Sequence, residues 1–139
     1  RAAEREADAG YEIVEQVLLT EAQKRIERQL VRLSDIRQVD LIITTGGTGL
    51  SLRDVTPEAT MAVATRNVPG IAEAIRAESL KITRRAMLSR GVSVVRGQTL
   101  IVNLPGSTKA VEEALAIVLP QLEHGLRILK GSAHDCARK

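Results

Sequence analysis

The run Thr44-Thr45-Gly46-Gly47-Thr48-Gly49, followed by Arg53-Asp54-Val55-Thr56-Pro57-Glu58, holds residue types suited to an anion. Glycines let backbone N–H groups approach a phosphate or carboxylate without interference from Cβ. The run follows Val39 to Ile43, apolar except for Asp40, which reads as a buried strand. Thr56-Pro57 reads as a helix start, with the Thr hydroxyl at the N-cap and Pro at the first helical position. The dipole of such a helix adds positive character beside the loop. A second loop, Asn103-Leu104-Pro105-Gly106-Ser107, follows the strand Thr99 to Val102 in the same way. Open α/β sheets bind ligands at the carboxyl ends of their strands. Thr45, Gly46, Gly47, Thr48 and Gly49, with Pro105, Gly106 and Ser107, are therefore candidate anion-binding residues. The competing reading is a pair of tight strand-to-helix turns. The pattern is not a Walker A motif, because no Gly-Lys-Ser/Thr follows. It is not a dinucleotide fingerprint either, because Leu52 stands where the third glycine belongs.

Asp54 lies near the glycine loop and just ahead of the helix start. It can hold Mg²⁺, which takes one or two carboxylates plus substrate phosphates, or it can simply serve the helix dipole. Glu21 begins a helix behind the Tyr11 region and can reach the same face, where it would share a metal with Asp54; a first-turn Glu is the plainer alternative. Lys81, Arg84, Arg85, Ser89 and Arg90 can contact phosphate or stand in solvent. Arg84-Arg85, with Arg90 and Arg96, would make a local basic patch for a small anion. Lys109 falls in the first turn after Pro105-Gly106-Ser107. His124 and His134 are isolated and read as surface or helix-face residues rather than ligands.

The elements that must position these residues alternate between strand and helix. Tyr11 to Leu19 is rich in Ile, Val and Leu and reads as a strand. From Glu21, Ala22, Ile26, Leu30 and Leu33 recur at helical spacing. After the glycine loop a helix is expected from about Pro57 to about Asn67, broken by Val68-Pro69-Gly70, and another from about Ile71 to about Leu80. Ser89-Arg90-Gly91 reads as a loop. Val92 to Val95 and Thr99 to Val102, joined by Arg96-Gly97-Gln98, read as a hairpin at the sheet edge. Ser107 caps a helix with Val111, Ala114, Leu115, Val118 and Leu119 on one stripe; Pro120 ends it, or kinks it and starts another through Leu129. The tail from Gly131 is expected to fray. Such alternation implies an α/β fold, a three-layer, mostly parallel sheet with helices on both faces. Residues 1–139 show no repeat or linker and read as a single domain. Arg1 to Asp8 is polar, so the central strand that such a domain carries near its start is expected to be missing from this numbering.

Composition excludes several function classes. The chain has 139 residues, 44% hydrophobic and 27% charged, which is globular rather than disordered. One Tyr and no Phe or Trp leave no ring platforms for single-stranded nucleic acid, and the net charge of +3 includes no long basic block. Cys136 stands alone, which fits neither a disulfide framework nor a Cys/His metal site and suggests a reducing, cytoplasmic setting. No apolar run approaches a membrane helix, and no signal-peptide pattern is present.

Four motifs in order resemble the molybdenum-cofactor biosynthesis domain family: Asp40 to Gly49, Arg53 to Glu58, Ala86-Met-Leu-Ser-Arg-Gly91, and Leu104-Pro-Gly-Ser107. Val68 to Leu80 fits as well, and the resemblance runs from about Gly10 to Gly131. It implies a molybdopterin-binding-domain-like fold, usually trimeric and in some members hexameric. The implied activity is adenylylation of molybdopterin with Mg-ATP, releasing pyrophosphate and supplying a molybdate-insertion enzyme. The alternative is a paralogue that binds molybdopterin with little or no catalysis. By the same resemblance, the two loops cradle the pterin and its phosphate, Asp54 matches the essential acidic residue, and Ser89 helps bind substrate. The family carries Pro-Asp where Thr20-Glu21 stands, so Glu21 would replace a catalytic Asp with a carboxylate one methylene longer. The family's first strand, with a Ser-Asp-Arg loop, is expected to be missing from this numbering, with Arg1-Ala2-Ala3 as the tail of that loop. Ser93-Val94 replaces a small Ala-Gly and is expected to be a packing change.

Overall fold

Side chains that alternate along two strands set the layers of this molecule. The structure is a computed structural model and describes residues 10–19 and 22–131. In order, the elements are α1 (Gln23–Val31, continued by a π-helical turn, Arg32–Ile36), β1 (Leu41–Thr45), α2 (Thr56–Val63), β2 (Arg66–Asn67) and α3 (Pro69–Leu80). A 3-10 turn (Arg84–Leu88), β3 (Ser93–Arg96), β4 (Thr99–Leu104) and α4 (Thr108–Leu129) follow. The strands lie in the order β1-β4-β3-β2.

All six residues of β4 are buried, as a strand covered on both faces must be. Leu100, Val102 and Leu104, with Val95, pack under Ile75 of α3 and Val111, Leu115 and Leu119 of α4. Ile101, Val94 and Ile42 point the other way, onto Ile26 and Leu30 of α1 and Ala59 and Val63 of α2. The period of two in the strands thus divides the aliphatic core into two halves, giving the expected three layers. Each fully buried aliphatic such as Ile101 or Leu104 contributes roughly 1.5–3 kcal/mol.

The sheet is mixed. β1 and β4 run parallel, from Leu41 opposite Leu100 to Thr45 opposite Leu104. β3 is antiparallel to both β4 and β2. The hairpin turning at Gly97 (φ +58°) forms as expected, but at the middle of the sheet rather than its edge. The reason is that β1 adds to one side of it and the two-residue β2 to the other.

Three further expectations about elements change. Residues 10–19 carry no regular secondary structure. They are tied by side chains instead: Glu15 pairs with Arg32 and Arg37, Arg37 Nη2 donates to the Val14 carbonyl at 2.9 Å, and the Tyr11 hydroxyl donates to the Leu119 carbonyl at 3.2 Å. The helix expected to reach Asn67 stops at Val63, because Ala64 turns extended (ψ 136°) and Arg66–Asn67 pairs with Val95 and Val94. Pro120 neither ends nor divides its helix: α4 runs unbroken for 22 residues. Its ring is exposed, while Leu119, Leu122 and Leu126 on either side hold the helix to the core.

Candidate active site

The glycine loop leaves β1 where the parallel ladder still has one bond to give: Gly46 N–H donates to the Leu104 carbonyl at 3.0 Å. Gly46 and Gly47 then take φ of +84° and +69°. At Gly47 glycine is required twice over, since a Cβ there would sit 2.2 Å from the Thr56 hydroxyl. Thr56 therefore packs beneath the loop and is not the cap expected for α2. The N-cap position is Val55, with no side-chain cap, and Pro57 lies in the first turn as expected.

The second loop comes to the first backbone against backbone. A Cβ on Gly106 would lie 3.3 Å from the Gly46 Cα. Glycine-only contact thus joins the ends of the neighbouring strands β1 and β4 into one surface. Ser107 caps α4 as expected, its hydroxyl accepting from Ala110 N–H at 3.2 Å. Pro105, Gly106, Ser107 and the exposed Lys109 therefore sit at the start of a long helix whose N-terminal N–H groups face the loops.

Asp54 closes the far side of the glycine loop. Its N–H donates to the Ser51 carbonyl at 2.9 Å, and its Oδ2 accepts from Ser51 N–H at 3.1 Å. That oxygen occupies the space beside Gly49, where a Cβ would stand 2.8 Å from it. Thr48 is buried. Beneath the strand ends lies a buried polar network: Asn103 Nδ2 donates to the Thr44 and Thr60 hydroxyls at 2.9 and 3.0 Å, and Asn103 Oδ1 accepts from Val92 N–H at 3.1 Å. Buried polar groups satisfied in this way rigidify the framework they join.

Arg90 does not project outward as a free phosphate ligand. Its Nε donates to the Gly49 carbonyl at 2.7 Å, Nη2 to the Asp54 carbonyl at 2.6 Å, and Nη1 to Glu58 Oε2 at 2.6 Å. The hydrogen bond from Arg90 holds the Glu58 carboxyl below its usual range, and Glu58 in turn raises Arg90. The expected basic patch does not form either. Arg96 lies at the other end of β3, forked onto Asp35 at 3.0 and 2.7 Å and donating to the Val63 carbonyl. Arg84 and Arg85 are exposed on the 3-10 turn.

Thr45, Gly46 and Gly47, with Thr56, border a cavity of about 560 Å³ that runs along β1 toward residues 12–19. Asp54, Ser89, Arg90 and Pro105–Ser107 do not line it. Glu21 lies outside the described residues, as do residues 1–9, Cys136 and His134. Among the described residues no cluster of three or more His, Cys, Asp or Glu is arranged to hold a metal. Sequence reasoning missed Glu58, Asn103 and Arg76, the last of which donates from Nη1 to the Ser89 and Gly91 carbonyls, as parts of this site. Glu58 stood inside a quoted motif, but its partner is 32 residues away, and spacing carries no such signal.

This architecture is shared with proteins of known family. The family described as probable molybdopterin binding domain matches residues 2–124. The chain belongs to that family. It is 41% identical over 122 residues to a molybdopterin adenylyltransferase of Helicobacter pylori, covering 88% of this chain and 66% of that protein. It is 49% identical over 98 residues to the molybdopterin adenylyltransferase of Escherichia coli K12, covering 70% of this chain and 50% of that one. The chain thus spans half to two-thirds of the length of these curated relatives. Among solved structures, the molybdopterin biosynthesis enzyme MoaB of Thermus thermophilus superposes with a TM-score of 0.86 at 46% identity, over 92% of this chain and 80% of that chain.

Proposed function

We propose that this molybdopterin-binding domain takes part in molybdenum cofactor biosynthesis and adenylylates molybdopterin with Mg-ATP. The observation that carries the reading is the joining of the Gly46–Gly49 loop to the Pro105–Ser107 loop through Gly46 and Gly106, with Asp54 at the rim. In this reaction a terminal phosphate oxygen of molybdopterin attacks the α-phosphorus of ATP. The bond from that phosphorus to the bridging oxygen breaks, and pyrophosphate leaves with the electron pair. A phosphate nucleophile needs no strong base, so catalysis is positioning and charge neutralisation. The loop N–H groups and the start of α4 would hold the pterin phosphate. Thr45, Thr48, Ser89, Ser107 and Lys109 would supply hydroxyls and a cation around it.

Asp54 fits a magnesium ligand by its donor chemistry. It is a hard, partly exposed oxygen donor with Oδ2 set by the Ser51 amide, and magnesium takes few carboxylates when phosphates supply the rest. Bound there with Glu21, the ion would neutralise charge on the nucleotide phosphates. Arg90 is reassigned from binding substrate to shaping the loop. A homotrimer in the cytoplasm, handing its product to a molybdate-insertion enzyme, belongs to the same proposal. Exposed Leu50, Leu52, Met87 and Leu88 support an interface between copies.

The test is Mg-ATP-dependent formation of adenylyl-molybdopterin and pyrophosphate. Asp54→Asn is expected to lower turnover on the order of 100-fold or more, as loss of one charge-stabilising group does. Molybdopterin binding without turnover by the wild type would replace this reading with the binding paralogue, which Glu21 in place of a family Asp favours.

A further inference from the structure

Between Gly49 and Asp54 the chain makes a turn whose two ends are gripped by one side chain. Arg90 Nε takes the Gly49 carbonyl and Nη2 the Asp54 carbonyl, at 2.7 and 2.6 Å, while its own N–H donates to the Thr48 carbonyl at 2.8 Å. Nη1 reaches on to Glu58 in the first turn of α2. Inside this grip the turn closes on itself through the Ser51–Asp54 bonds, which orient the Asp54 carboxylate. Arg90 is itself braced. Arg76 of α3 donates from Nη1 to the Ser89 carbonyl at 3.1 Å and to the Gly91 carbonyl at 2.9 Å, fixing the backbone on either side of it.

We infer that Arg90, braced by Arg76, is a positioning residue that sets the Asp54 carboxylate against the glycine loop; this rests on the adenylyl-transfer reading above. A planar fork spans two carbonyls and a carboxylate at fixed angles, whereas a lysine ammonium is a point charge on a flexible stem and cannot span them. Charge alone is therefore not what the site requires at this position. A misplacement of about an ångström costs on the order of 100-fold in turnover.

The test compares wild type, Arg90→Lys, Asp54→Asn and the double variant, with Glu58→Gln as a second, milder loosening of the same grip. Arg90→Lys is expected to lower kcat about 100-fold with little change in the KM for molybdopterin and only a small fall in thermal midpoint, too small to unfold the protein at assay temperature. The double variant is expected to be no worse than Asp54→Asn alone, since residues acting through one group are non-additive. Effects that multiply, or a raised KM at unchanged kcat, would overturn the inference and leave the transferase standing. Should the wild type give no product, the transferase reading falls and amide exchange decides the inference. Exchange at Ser51 and Asp54 is expected to be about ten-fold faster in Arg90→Lys, and unchanged exchange in both Arg90→Lys and Glu58→Gln would sink it.

Discussion

Gly47 shows how much of the site depends on single atoms. Its φ of +69° already disfavours any side chain, and the Thr56 hydroxyl occupies the position a Cβ would need. Gly47→Ala is expected to destabilise the protein by about 1–3 kcal/mol, read from the midpoint of urea unfolding at unchanged slope. Gly131 is the control. It also has positive φ (+84°), but nothing lies within 4 Å of a Cβ there, so Gly131→Ala should show the backbone cost without the clash. The glycine pattern was legible in the sequence. That Thr56 is the reason for one of the glycines was not, because that contact depends on how the loop folds back.

Among the elements, Ser93 reverses an expectation. Its replacement of a small family residue suggested a simple packing change. In the structure its hydroxyl accepts from Ala72 N–H at 3.0 Å and donates to the Val68 carbonyl at 2.5 Å. Val68, the N-cap residue of α3, makes no side-chain cap of its own. A strand therefore caps a neighbouring helix across 21 residues of sequence. Ser93→Ala would leave the buried Ala72 N–H and the part-buried Val68 carbonyl without this partner and is expected to cost about 1–2 kcal/mol in chemical denaturation. Seating the residue 93 side chain against α3 this way also ties that helix to the strand beside which Arg76 reaches residues 89–91.

Across the whole molecule, distant segments are joined by ion pairs near the surface: Glu15 with Arg32, Asp35 with Arg96, and Glu58 with Arg90. In each pair the hydrogen bond from the arginine lowers the carboxyl below its ordinary value, 4.5 for Glu and 3.8 for Asp. A depressed carboxyl contributes stability that is present above its unfolded value and lost as pH falls through the folded one. The thermal midpoint should therefore hold above about pH 5 and decline toward pH 3, modestly, because these groups are solvent-screened. Glu58→Gln should flatten part of that decline when unfolding is followed by circular dichroism; an unchanged pH profile would remove the Glu58–Arg90 pair from the account. Among the described residues no helix is long and apolar enough to cross a membrane.

The sequence by itself determined the strand-loop-helix order around both glycine loops, the Ser107 cap, the aliphatic stripe of α4 and the family. Those features are local: a period of two or 3.6, a capping hydroxyl, a glycine where backbone must come close. Only the tertiary structure decided that the hairpin lies inside the sheet, that residues 10–19 hold their place through arginines rather than as a strand, and that Pro120 sits within a continuous helix. It alone decided that Arg90 faces inward, because its acceptors at Gly49, Asp54 and Glu58 lie 32 to 41 residues away. Such contacts are set by which segments the folded core brings together, and no spacing along the chain records them.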